Sequence, residues 1–401
     1  MSANPNQTRT ILSKVPEVTI FFWIIKVLCT TVGETFSDFL SVNLGLGLPF
    51  TTLLMGIAFV VVMYLQFRAT RYVPVLYWLA VVLISVFGTL VTDNLTDGFG
   101  VPLELSTIVF SILLGLTFLF WYLSEKTLSI HSIYTVKREA FYWLTILFTF
   151  ALGTAVGDLY SEQLGLGYLN TGIVVVIIIG CVILCWKFAK LNEILAFWVA
   201  YIFTRPLGAS LGDYLSQSKV NGGVGLGATM TSIIFLLAIL AIILYLVISK
   251  IDILSGNESV SSNRTNGNPK NVWAQTLAVL SVFLAVGIGG YVWMNQHISS
   301  QTDSSQSTLA GELTDFVHVE NDILNNVDSS NLADAKTGAD QLEHDWDDAE
   351  PKLRKIDRKT WTEIDGTIDS VLAAVRSKNP DANKCKSALD ASLTALNNAN
   401  Q

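Results

Sequence analysis

The chain has 401 residues, of which 51% are hydrophobic and only 14% charged, well below the roughly 25% charge of an ordinary soluble domain. The charges are uneven: residues 296–401 carry 19 acidic and 10 basic side chains, and the rest of the chain carries 14 and 15. This excludes a wholly soluble enzyme and a nucleic-acid binder, which needs a basic surface, and leaves a polytopic membrane protein with a small acidic domain at its C-terminus.

Crossing the hydrocarbon core takes about 20 apolar residues. Runs of that kind lie near 16–40, 50–67, 73–95, 104–124, 138–160, 168–188, 192–215, 227–250 and 272–295, which predicts nine spans. Helices alone satisfy their backbone within one segment in lipid, so the membrane part is expected to be all-α. The first residues are polar and no small-residue cleavage site follows the first apolar run, so no cleaved signal is expected. With the N-terminus inside, one side collects Arg9, Lys14, Arg68, Arg71, Lys126, Lys137, Arg138, Lys187, Lys190, Lys250, Arg264 and Lys270. The other side, through eight spans, has only Lys219. Basic loops stay cytoplasmic, so the N-terminus is expected in the cytoplasm and residues 296–401 outside. The domain division is then an eight-span unit over 1–254, a Ser-, Asn- and Gly-rich cytoplasmic linker over 255–271, a ninth span over 272–295, and an extracellular helical bundle over 296–401.

The membrane unit is repetitive. An aromatic–Trp pair recurs as Phe22-Trp23, Tyr77-Trp78, Tyr142-Trp143 and Phe197-Trp198. Ten residues after each Trp stands a glycine (Gly33, Gly88, Gly153, Gly208), and five further on an aspartate (Asp38, Asp93, Asp158, Asp213). Glycine-rich turns follow: Gly45 to Gly47, Gly98 to Gly100, Gly165 to Gly167, Gly225 to Gly227. The fourth copy is stretched by an insertion over Lys219 to Gly223. Two spans per copy keep all four copies in one orientation, so the repeats are parallel, related by an axis along the membrane normal. The expected fold is all-α: four two-helix repeats around an axis, a ninth helix outside them, and the external bundle.

The repeat sets four aspartates at one depth, about 22 Å along a helix from the Trp. Intramembrane carboxylates usually face a cavity and have a task, and several around one axis repel unless a cation sits among them. Oxygen ligands suit Mn²⁺, Mg²⁺ or Ca²⁺. Asp38, Asp93, Asp158 and Asp213 are therefore expected to line a cation pathway and to serve as the metal ligands; no other cofactor is expected. The competing reading has each Asp capping a helix or bonding a loop amide. The aromatic–Trp pairs are expected as interfacial anchors.

Departures from symmetry add candidates. Glu34 stands where the other copies have Thr89, Thr154 and Ala209, and is placed in the pathway. Lys26 stands where they have Val81, Ile146 and Tyr201, and Arg205 where they have Thr30, Ser85 and Phe150. Lys26 and Arg205 are assigned to gating or coupling. Lys26 alternatively snorkels to the interface. Pro206 is expected to kink its helix and free a carbonyl.

From 307 on, apolar residues recur at helical spacing, predicting a bundle of three or four helices. Pro351 and Pro380 mark expected boundaries and Thr360 with Glu363 an expected capping box. His344 with Asp347 or Asp348 could bind a metal weakly, though a solvated face with Trp346 turned inward is the commoner outcome of such a run. No nucleophile, base and orienting group come together in the sequence, so no enzyme is expected.

The segment Lys14-Val15-Pro16-Glu17-Val18-Thr19 leads into Phe22-Trp23-Ile24-Ile25-Lys26-Val27-Leu28, and Thr31-Val32-Gly33-Glu34-Thr35 follows with Asp38. In these residues, and over about 14–250, the chain resembles a family of uncharacterised bacterial multi-pass proteins labelled membrane-anchored. The resemblance implies a bacterial plasma membrane and no particular activity. The stretch Trp346–Leu353 is similar to small helical bundles appended to other bacterial proteins. The functional expectation is a transporter or channel for a small cation. The alternative is a non-transporting anchor for an external sensing or adaptor bundle. The expected partners are the lipid bilayer and the cation, and a homo-oligomer stays open.

Overall fold

The computed structural model describes residues 13–99, 101–217, 223–252, 269–301, 308–377 and 380–401; most of the linker and the insertion after Ser216 lie outside them. Among the described residues every regular element is helical. The membrane unit comprises α1 (Ile20–Asp38), α2 (Leu48–Arg68), α3 (Pro74–Asp93), α4 (Leu103–Glu125), α5 (Val136–Asp158), α6 (Tyr168–Phe188), α7 (Glu193–Ser216) and α8 (Gly227–Ser249). A long α9 (Pro269–Gln301) follows, then α10 (Thr314–Asp328), α11 (Leu332–Ile356), α12 (Arg358–Arg376) and α13 (Ala382–Ala399). Nine described helices are long and apolar enough to cross a membrane, within a few residues of the predicted spans.

Local chemistry fixes the ends. The side chains of Thr19, Thr135 and Asn192 cap α1, α5 and α7 by accepting from Phe22, Arg138 and Leu195 backbone N–H, satisfying donors a helix start leaves open. Gly47 and Gly167 precede α2 and α6 at φ 72° and 78°, a region where a Cβ is strained. The helices α1, α3 and α5 each end on the repeat aspartate and continue as a five-residue π turn: Phe39–Asn43, Asn94–Gly98 and Leu159–Gln163. Among the described residues the fourth copy shows no such turn; α7 runs on to Ser216 with Pro206 inside it.

The first helix of each repeat is inside and the second outside. Over their apolar windows α1, α3, α5 and α7 are 61–72% buried, against 17–28% for α2, α4, α6 and α8. The inner four form a closed ring, α1 against α3, α3 against α5, α5 against α7, and α7 back against α1. Each outer helix packs on the inner helix of the next repeat, α2 on α3, α4 on α5 and α6 on α7, while α8 closes the circle on α1. Ser232 on α8 donates to Thr35 on α1 at that closure (2.9 Å). The outer helices are apolar all round and expose Leu53, Ile57, Ile177 and Leu240, as a lipid-facing layer does. Helix α9 stands outside the ring, with Phe283 against Phe203 and Tyr160 donating to the Gly287 carbonyl (2.6 Å).

Helices α10 to α13 form a four-helix bundle around Leu313, Ile323, Leu342, Trp346, Ile364 and Leu389. Two sequence expectations are corrected here. Pro351 does not end a helix: α11 continues through it to Ile356 because Trp346 and Leu353 on either side are both buried in the core, and that burial outweighs one lost backbone bond. The cap of α12 is Asp357 rather than Thr360: Thr360 donates its N–H and hydroxyl to Asp357 (3.1 and 2.7 Å). The bundle lies against the glycine-turn end of the ring. There α11 meets the turn Leu159–Gln163, α12 meets the turns Asn94–Gly98 and Phe39–Asn43, and Arg358 pairs with Glu104 (3.2 Å).

Candidate functional site

The ring interior is a stack of layers, each made of one position from every repeat. At one end the aromatic–Trp pairs interlock in a cycle. Phe22 packs on Trp78 (5.7 Å between ring centroids), Tyr77 on Trp143 (5.4 Å), Tyr142 on Trp198 (6.2 Å), and Phe197 on Trp23 (5.6 Å). Trp78, Trp143 and Trp198 are buried. The expectation of interfacial anchors is therefore overturned for these three, whose indoles are enclosed by the neighbouring copy; Trp23 is half-buried, and the eight rings interlock across this end of the axis. The Tyr77 and Tyr142 hydroxyls bond each other (2.5 Å) within this layer.

One turn on, Lys26 holds its ammonium over the rings of Phe150 (3.7 Å) and Tyr201 (4.3 Å). It does not snorkel; only 1% of the residue is exposed. The next layer explains the repeat glycines. A Cβ on Gly33 would strike Ser85, one on Gly88 would reach Phe150 Cβ at 3.0 Å, one on Gly153 would strike Arg205, and one on Gly208 would strike Thr30. In every case the residue seven after the Trp of one copy lies on the glycine ten after the Trp of the copy before it. The fourth copy's glycine receives the first copy's residue. Glycine allows this approach because nothing else is small enough.

Arg205 reaches the axis through this packing. Its Nη2 lies within hydrogen-bonding distance of three acceptors, Glu34 Oε2 (2.6 Å), Thr89 Oγ1 (2.5 Å) and Thr154 Oγ1 (2.6 Å), which share its two N–H groups. These acceptors are the same repeat position in copies one, two and three. The fourth copy has Ala209 there, one turn from Arg205 on the same helix. Arg205 is fully enclosed and Glu34 is buried, so the ion pair is desolvated and depends on its hydrogen bonds to offset that cost. Lys26 and Glu34 form no ion pair, and Arg205 bridges three copies instead. The hydroxyls of Thr89 and Thr154 were legible as the counterparts of Glu34, but nothing in the sequence marked them as partners of Arg205.

Beyond this pair lie the aspartates. Asp213 is buried, and Asp38, Asp93 and Asp158 are half-buried. Asp158 lies within electrostatic range of Glu34, Asp93, Asp213 and Arg205. Among the described residues no three His, Cys, Asp or Glu side chains converge closely enough to hold a metal ion. A buried cluster the sequence reading missed ties the aromatic end together: Glu139 accepts from Lys14 (2.7 Å) and Gln66 (3.0 Å). Lys14, counted there as a loop charge, is buried.

In the C-terminal bundle, Trp346 is turned inward and donates to Asp365 (2.8 Å). His318 is exposed. Burial, with Glu343, Glu350 and Asp369 close by, raises Asp347 well above the usual carboxylate range. Glu320 is completely buried, accepts from Ser392 (2.6 Å), and is pushed up to about 7 by its burial.

No curated protein and no solved structure matches the chain. The ring contains four cyclically interlocked copies of one helix pair, and one family model matches once per copy, at residues 21–72, 76–127, 141–192 and 196–252. Those matches cover more than half of the sequence, and the chain belongs to the family described as Repeat of Unknown Function (DUF347).

Proposed function

We propose that the ring is a transporter or channel for a small cation, divalent by the character of its oxygen ligands, with the aspartates lining the entry. The observation that carries the reading is that the repeat aspartates stand on the four inner helices, with Asp158 within electrostatic range of Asp93, Asp213 and Glu34. Intramembrane carboxylates so grouped attract and concentrate cations. Asp38, Asp93, Asp158 and Asp213 would form a vestibule for a hydrated ion. Glu34 and Arg205 close the path beneath it, and the aromatic layer closes the far end, so this conformation is an occluded one. An ion that reaches Glu34 competes with Arg205 for the same carboxylate, and Thr89 and Thr154 keep the displaced guanidinium bonded. This gives Arg205 a gating role. The excess of basic residues in the loops at the aromatic end supports a cytoplasmic position for that end and an extracellular one for the bundle.

The test is flux in reconstituted vesicles across Mn²⁺, Mg²⁺ and Ca²⁺, wild type against a variant carrying D38N, D93N, D158N and D213N together. Loss of flux for one cation in the variant is expected. Equal flux in both would remove the aspartates from the pathway, and no flux for any cation would leave the ring as an anchor for the bundle.

A further inference from the structure

Glu34 and two hydroxyls satisfy only one nitrogen of Arg205. Its Nε and Nη1 have no hydrogen-bond partner among the described residues, and neither has Lys26 Nζ or Ser85 Oγ. All of these atoms are enclosed: Arg205 and Ser85 are 0% exposed and Lys26 is 1%. Lys26 and Arg205 stand on the adjacent inner helices α1 and α7, at the positions three and seven residues after the Trp, so one turn separates them along the axis. They act on each other electrostatically. One wall serves both, since the Lys26 ammonium lies over the Phe150 ring and Arg205 packs on Gly153, one turn further along α5. Two buried basic side chains thus occupy adjacent layers, and the carboxylate of the next layer, Glu34, is already committed to Nη2. Buried N–H groups are almost always paired, and aromatic faces offset an ammonium's desolvation only in part. What is missing is an acceptor with negative charge.

We infer that the ring binds a small monovalent inorganic anion of the halide class between Lys26 Nζ and the Nε and Nη1 edge of Arg205, with the Ser85 hydroxyl as a further donor. The unpaired nitrogens of Lys26 and Arg205 are donors and the Ser85 hydroxyl can donate beside them, which selects an anion over a neutral or protonated ligand. Of the other side chains of the two layers, Val81, Ile146 and Phe150 offer no acceptor, the Thr30 hydroxyl is committed to the Val27 and Thr204 carbonyls, and the Tyr201 hydroxyl is a neutral group without the charge to hold a cation there. The site is distinct in sign and depth from the aspartate vestibule and does not depend on the transport reading.

The test uses the full-length protein in lipid nanodiscs, with chloride replacing gluconate at constant ionic strength. The midpoint of thermal unfolding is expected to rise saturably with chloride. In K26M, which keeps the side chain's length without the charge, half-saturation is expected to move at least tenfold higher. The variant with all four Asp→Asn changes is expected to respond as wild type does, which separates this site from the cation pathway. Bromide-soaked crystals of the wild type provide a readout independent of whether K26M folds: an anomalous peak is expected between Lys26 and Arg205. No chloride dependence, an unchanged half-saturation in folded K26M, or bromide found only elsewhere would overturn the assignment.

Discussion

The interlocking of neighbouring copies can be tested by exchanging the sizes of two facing residues. In G33A the new methyl would meet Ser85 Cβ at 2.8 Å and its carbonyl carbon at 3.1 Å, with Ser85 Oγ closer still. Overpacking of that kind costs about 1–3 kcal/mol, against a gain of about 1 kcal/mol from replacing a mid-helix glycine. S85G loses about 1 kcal/mol of helix propensity and leaves a small void. It breaks no hydrogen bond, because Ser85 Oγ has no partner. In G33A/S85G the methyl at 33 takes the space vacated at 85 and the two propensity changes cancel. The double variant should therefore be more stable than the sum of the single ones by about 1–2 kcal/mol. Equilibrium unfolding in mixed micelles measures all four corners of the cycle. As a control, G180A lies on the lipid side of α6, where a Cβ meets nothing within 4 Å, and should be neutral or slightly stabilising. Additivity of G33A and S85G within about 0.5 kcal/mol would refute the interlock between the first two copies.

Removing the acidic partner of the buried pair should be costly. E34A strands the Arg205 charge and is expected to destabilise by about 3–5 kcal/mol, while E34L/R205M, which removes both charges, should recover most of that loss in the same unfolding assay. The bundle should respond to pH through Glu320. Its folded-state value of about 7 lies above the ordinary 4.5, so the folded bundle holds a proton the unfolded chain releases. That stabilisation is complete below about pH 4.5 and is lost as pH rises through 7, about 3 kcal/mol in all. Protection factors of α10 and α13 in the full chain, taken relative to the intrinsic base-catalysed exchange rate at each pH, should fall between pH 5 and 8 in wild type and stay level in E320Q; equal profiles would exclude Glu320 as the cause. At the seam between bundle and ring, R358A removes the partner of Glu104 from a pair that is only a quarter exposed. Exchange in the first turn of α12 and in the turn Asn94–Gly98 is expected to rise up to about fivefold, in keeping with roughly 1 kcal/mol for such a pair, and unchanged exchange would show the pair does not hold the seam.

The repeat could be read from sequence because its most constrained residues are those that touch the neighbouring copy. Gly33, Gly88, Gly153 and Gly208 recur because an inter-helix approach needs them, and the Phe22-Trp23 class of pairs recurs because each ring needs a partner. Span positions were legible because lipid demands about 20 apolar residues regardless of packing. Direction was not legible. A Trp at a span end reads as an interfacial anchor whether it faces lipid or the axis, and only the ring closure decided that Trp78 and Trp143 face inward. The Arg205–Glu34 pair joins residues 171 apart in sequence, beyond the reach of local spacing, although both had stood out as breaks in the symmetry. Pro351 misled because a proline's local cost is visible in sequence, whereas the core packing of Trp346 and Leu353 that overrides it is not.

Fourfold packing and single-copy charge are two consequences of one geometry. The position seven after the Trp points onto the neighbouring glycine and from there toward the axis, so any long side chain placed there reaches the other copies. Arg205 does so, and the acceptors of its Nη2 come from the three other repeats. A second arginine at Ser85 or Thr30 would need those same acceptors and would add a second guanidinium to a layer holding one carboxylate. The hydroxyls Thr89 and Thr154 accept without adding charge, and Ala209 leaves room beside Arg205 on its own helix. Four identical copies could build the scaffold but would place four like charges on the axis. One arginine, one glutamate and two threonines are the combination in which the innermost layer is both bonded and close to neutral, and the lysine one turn away is the remaining charge that this balance does not cover.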